Sequence, residues 1–164
     1  METGVTEMVM QIEQDERPVL AAEARALAER LDDPEFRAPY ELMAAAVEAG
    51  EVPEEVASAV GALAALALET GRARSVHGPA GVRALLSVWK RTPQGMDAAS
   101  EVDELNTALT ALRGLPLESL RVAVTGPGAF SLSIGTTDYE VRLVVDRGGI
   151  RLASLNVGGG GIGE

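Results

Sequence analysis

The stretch LPLESLRVAVTGPGAFSLSIGTTDYEVRLVVDRGGIRLASLNV, residues 115–157, decides the fold. From Leu117 onward the apolar side chains recur every second residue, the period of a β-strand with one buried face. Leu120, Val122 and Val124 alternate with Arg121, Ala123 and Thr125, and Phe130, Leu132 and Ile134 with Ser131 and Ser133. Tyr139, Val141, Leu143 and Val145 alternate with Glu140, Arg142 and Val144. The separators GPG, GTTD and DRGG are too short to carry parallel crossovers, so the strands form an antiparallel meander. In the last run Ile150 and Leu152 share a side with Ser154, whereas Leu155 and Val157 fall on the other side with Arg151 and Ala153. That change of face predicts a bulge or a strand end.

Upstream the period is that of helices, with clear punctuation. Pro18 opens a first helix with Leu20, Ala24, Leu27 and Leu31 on one face. Asp33 as N-cap, Pro34 and Glu35 open a second, with Phe36, Tyr40, Met43 and Val47 inward and Gly50 as its stop. Pro53 opens a third, carrying Val56, Val60, Leu63, Leu66 and Ala67 and ended by Gly71. A longer connection then leads to a fourth from about Pro79, with Val82, Leu85, Leu86 and Trp89 inward, broken at Pro93 and Gly95. A fifth, near 98–113, places Val102, Leu105, Leu109 and Leu112 on one face. The predicted class is α+β: an N-terminal bundle of about five helices followed by a four-stranded antiparallel β-meander packed on it. The expected organisation is a flexible lead-in over 1–15, a single α+β domain over 16–157 (helical part 16–114, meander 117–157) and a Gly-rich flexible tail over 158–164.

The chain has 164 residues, 46% of them hydrophobic but only 3% aromatic, so its interior is built from many small contacts. It holds no cysteine, which excludes disulfides, thiolate catalysis and cysteine-ligated metals. Neither a signal-peptide pattern nor a run of bilayer-spanning length is present, so the expectation is a soluble cytoplasmic protein without a membrane partner. The net charge of −11 opposes binding to nucleic acid or anionic lipid by the surface at large.

Charge is unevenly spread. Residues 1–70 carry 16 acids against 4 bases, whereas 71–96 contain no acid and include Arg72, Arg74, Arg83, Lys90 and Arg91. The same stretch holds the single histidine, His77, and the single tryptophan, Trp89. These cations either pair with the chain's own carboxylates or form an anion site, in which Arg72, Arg74, His77, Arg83, Lys90 and Arg91 would meet a phosphate or carboxylate.

Other chemistries lack their parts. Gly158, Gly160 and Gly163 fit G-x-G-x-x-G, but no helix follows to receive a pyrophosphate. Ser75 and Ser87 sit in no nucleophile elbow, and His77 is the only imidazole for a triad. No acid cluster has calcium-loop spacing, and the only lysine, Lys90, precedes Arg91 rather than Ser or Thr. No metal, cofactor or catalytic residue is therefore expected. The reading that remains is a non-catalytic acidic interaction protein: an adaptor, a small regulatory subunit or a neutralising partner of a basic protein. Glu48, Glu51, Glu54 and Glu55, clustered at one turn, are its expected contacts. The alternatives are an anion- or nucleic-acid-binding module using 72–91, and a small carboxylate-using enzyme.

Overall fold

The computed structural model describes residues 9–158. It is an α+β protein in which five helices precede a four-stranded antiparallel sheet, with a second, two-stranded sheet among the helices. The contacts divide the chain into two compact units, Met1–Met96 and Asp97–Glu164, each with its own apolar cluster.

In the first unit β1 (Val9–Gln11) leads to α1 (Arg17–Ala28), α2 (Pro34–Ala49), β2 (Glu51–Pro53), α3 (Glu54–Glu69) and α4 (Arg72–Arg91). Part of the expected lead-in is thus a strand, paired antiparallel with β2 in the register Val9–Pro53, Met10–Val52 and Gln11–Glu51. The start of α2 is as its sequence dictates. Asp33 is extended and its side chain accepts from the Glu35 N–H at 2.9 Å, with Pro34 in the first turn. Gly50, at φ +88°, ends the helix in the left-handed region that glycine enters at little cost. The core is built from Leu20, Val47, Val52, Val60, Leu85 and Val88, with many alanines between them. Phe36 and Leu66, expected inward, are exposed, as is Leu86; the bundle face is narrower than the apolar stripes.

The long connection expected before Pro79 is absent. Gly71 (φ +73°) turns the chain and α4 begins at once, bringing residues 72–77 into a helical turn. The glycines and proline at 78–81 do mark a break, but inside the helix: Gly78 has φ 66° and ψ −166°, a conformation nearly closed to other residues. Pro93 breaks α4 as expected, that helix ending at Arg91, but α5 (Pro93–Thr110) begins at the same proline rather than near 98. Thr92 is its cap, with the Gly95 N–H 3.4 Å from the hydroxyl, because a threonine–proline pair opens a helix just as an aspartate–proline pair does.

In the second unit the meander runs in the order β3 (Ser119–Gly126), β4 (Ala129–Gly135), β5 (Tyr139–Asp146) and β6 (Gly149–Val157). The register places Val122 opposite Leu132, Leu132 opposite Leu143 and Leu143 opposite Leu152, one apolar face across four strands. The predicted bulge is present: Arg142 faces Ser154 while Leu143 faces Leu152, leaving Ala153 as the extra residue. Leu105, Leu109 and Leu112 cover Val141, Leu143 and their neighbours on this face. On the edge strand β3 the same face is open, with Leu120, Val122 and Val124 65%, 67% and 74% exposed. Val102 on α5 is also exposed, against expectation. Of the Gly-rich tail, Gly158 donates its N–H to the Asp138 carbonyl, and residues 159–164 lie outside the described residues, as do residues 1–8 of the lead-in.

A paired substitution separates conformation from packing at the two helix-ending glycines. Alanine at either position suffers the left-handed backbone, a cost of about 1 kcal/mol. At Gly50 the new methyl also meets the Arg17 guanidinium, whereas at Gly71 it meets nothing. Urea unfolding is expected to show Gly50→Ala as the more destabilised variant.

Candidate functional site

Two of the basic stretch's arginines, and its histidine, turn inward. Glu23 on α1 is 3% exposed; its Oε2 accepts from Arg72 Nε at 2.7 Å and its Oε1 lies 2.7 Å from His77 Nε2. With Arg72 pairing the carboxylate, Glu23 is the acceptor and Nε2 carries the imidazole proton. The break at Gly78 makes room for this. His77 closes the first segment of α4, Pro79 begins the next, and Gly81 lets the ring lie against the backbone where any Cβ would strike His77 Cβ.

One level away, Glu16 is equally buried and is held by Arg91, while the Glu13 N–H donates to its Oε2 at 2.9 Å. Arg91 Nη1 donates to Ser87 Oγ at 2.9 Å. Burial raises the Glu16 carboxyl. The hydrogen bonds from Arg91, the Glu13 N–H and Ser87, together with the Arg91 charge, outweigh it and hold the group below the ordinary glutamate value. Glu16 and Glu23 are seven apart and so share a helix face. Glu16 meets the end of α4 and Glu23 its start, so the two helices run in opposite directions.

The remaining cations of the stretch, Arg74, Arg83 and Lys90, are exposed and have no ion pair among the described residues. The six sequence-selected residues therefore do not converge. Ser75, considered as a partner for His77, donates instead to the Arg72 carbonyl at 3.1 Å. The pocket beside Glu23, between Leu27, Leu63 and Arg72, holds about 40 Å³, space for water rather than substrate. Among the described residues no three His, Asp or Glu side chains gather as a metal would require.

The acidic candidates are arranged differently. Glu48 is bonded to Arg25. Glu51, Glu54 and Glu55 are exposed and have no ion pair among the described residues; Gly50 and β2 set them at the corner between α2 and α3. Beside this corner lies a groove of about 360 Å³ with Val9, Ala57, Pro93 and Met96 as apolar lining and Glu13 and Glu54 at its walls.

The sequence reading did not single out Glu16 and Glu23. The signal was available: with Leu20 and Leu27 they form the spacing 16, 20, 23, 27, so both acids lie on the apolar stripe of α1. An acid on such a stripe needs a partner, and the acid-free stretch 71–96 is where the chain keeps one. Among the described residues no single helix is long and apolar enough to cross a membrane. Comparisons with protein-family models, with curated proteins and with solved structures find no match to this chain.

Two variants report on the buried pairs. Glu23→Ala is expected to lower unfolding free energy by about 2–3 kcal/mol, less than for a fully buried pair because Arg72 reaches solvent. Folding lowers the Glu16 pKa, so this carboxylate stabilises the fold at neutral pH and its contribution fades as pH falls from the ordinary glutamate range through the lowered value. Glu16→Gln should therefore be less stable than the parent by about 1–3 kcal/mol at pH 7, with the gap closing in urea titrations as pH falls below the ordinary glutamate range.

Proposed function

We propose that this chain is a non-catalytic interaction protein of the cytoplasm, an adaptor, small regulatory subunit or neutralising partner, whose acidic corner binds a basic protein. The observation that carries this reading is the partition of charge. Arg72, His77 and Arg91 are committed to buried carboxylates, while Glu51, Glu54 and Glu55 face solvent without internal partners among the described residues. With a net charge of −11, the surrounding field favours encounter with a cationic surface.

A second reading has one observation in its favour. Arg74, Arg83 and Lys90 are exposed on α4 without carboxylate partners among the described residues, as an anion-binding module would need. They are spread along a broken helix instead of surrounding a pocket, so the acidic corner is preferred.

Native mass spectrometry of the protein isolated from its host, followed by affinity measurements on the recovered partner, separates the two. A stoichiometric basic protein is expected, with affinity reduced about tenfold or more by the triple change Glu51→Lys, Glu54→Lys, Glu55→Lys and falling with added salt. Loss of binding on Arg83→Glu and Lys90→Glu, with the acidic variant unaffected, would transfer the function to α4.

A further inference from the structure

We infer that the free edge of β1, with the groove beside it, is a docking site for an extended segment of a partner protein that carries both apolar and basic side chains. This rests on the proposed function and names the element through which that contact is made.

The ladder between β1 and β2 fixes which backbone groups are free. The Ile12 N–H donates to the Gly50 carbonyl at 2.9 Å. Bonded pairs in an antiparallel ladder recur at every second residue, so Met10 and Val52 form the next one. Pro53, which has no N–H, stands opposite Val9 at a position where none is needed. The N–H and C=O groups of Val9 and Gln11 therefore point away from β2, to an edge with no further strand among the described residues. A chain laid along that edge is bound by main-chain hydrogen bonds whatever its sequence.

The groove supplies selectivity. A bound strand sends alternate side chains to opposite faces. One set would enter the lining made by Val9, Ala57, Pro93 and Met96, where about 360 Å³ accommodates apolar side chains. Val9 and Met96, 39% and 56% exposed, gain most from being covered. Glu13 and Glu54, on the groove walls, have no ion pair among the described residues, and Glu51 and Glu55 are close by in sequence. Arg91 also lines the groove, but its charge is taken by Glu16. Apolar surface and unpaired carboxylates thus line the same groove, so the matching peptide is cationic as well as apolar.

The test uses the full chain and a short extended peptide that carries both leucine and lysine on each face. Binding is expected to slow amide exchange at Val9 and Gln11 by about tenfold or more, since those amides become hydrogen-bonded. The same peptide N-methylated along one edge keeps its charge and apolar surface, and should bind about tenfold more weakly. Met96→Gln, at an exposed position and without a change of charge, should weaken binding several-fold while leaving the unfolding midpoint unchanged. Equal binding of the methylated peptide, or unaltered exchange at Gln11, overturns edge docking; if the Glu51, Glu54 and Glu55 reversals still abolish binding, the acidic-corner reading stands without it. Failure of the peptide to bind at low salt overturns the edge site, and recovery of a basic partner from the host would again leave the broader reading intact. Protection of Gln11 in the free protein that grows with protein concentration would assign the edge to a second copy and overturn the proposal.

Discussion

The helical unit turns on one constraint: α1 and its N-cap residue bring two buried carboxylates, Glu23 and Glu16, to one face. Removing such groups from water costs several kcal/mol each unless a cation accompanies them. Arg91 answers the first, Arg72 and His77 the second, and all three come from α4. The net gain from such pairs is small, because desolvation offsets most of the attraction. Their larger effect is on register. A slip of α4 by one turn would leave both carboxylates buried and unpaired, a state far costlier than the loss of any one apolar contact. The break at Gly78 belongs to the same constraint, since it turns His77 toward Glu23 while the rest of α4 keeps Leu85 and Val88 in the core.

That arrangement determines what the surface offers. The acid-free stretch 71–96 supplies cations to the interior, and the remaining acids of residues 1–70 are left to face solvent or the few arginines near them. Buried pairs are screened little by salt, whereas the exposed acids at 51–55 interact through solvent and are screened within about 10 Å at moderate ionic strength. The chain thus divides its electrostatics into a structural part insensitive to salt and an outward part sensitive to it.

Much of the fold was legible because its signals are local. The change of period at Leu117, the short turns and the face switch at Ala153 specified the meander and its bulge, and Asp33–Pro34 specified the start of α2. Three features were not read correctly, each for a physical reason. Residues 72–77 look like a loop because HGPAG follows, but a single Gly78 absorbs the break within the helix. The start of α5 is placed too late because Pro93 reads only as the end of α4 when the capping Thr92 before it goes unnoticed. The strand at Val9–Gln11 is three residues long, too short for a period to emerge, and exists only through pairing with residues some forty positions away. Which part of the apolar sheet face is covered depends on where α5 lies, and no pattern within β3 distinguishes Leu120 or Val122 from Leu143. At the candidate site the sequence identified the charged groups but not their division, because the inward partners, Glu16 and Glu23, were hidden among the acids of the N-terminal helices.

The shortness of β1 also governs the kind of binding its edge supports. Among the described residues of this edge only Val9 and Gln11 turn their main-chain groups outward, so an added strand gains few hydrogen bonds there, each worth about 0.5–1.5 kcal/mol net. Those bonds must offset the cost of ordering the incoming segment, about 1–2 kcal/mol for each residue's backbone. Main-chain pairing alone therefore leaves little surplus, and affinity has to come from apolar side chains entering the groove and from charge attraction to Glu13, Glu54 and their neighbours. A contact built this way dissociates readily and responds to salt. It also protects the free protein, since an edge too short to hold a strand by backbone alone does not recruit arbitrary chains. The groove and the acids then act as the condition for binding, and the edge as the means of orientation.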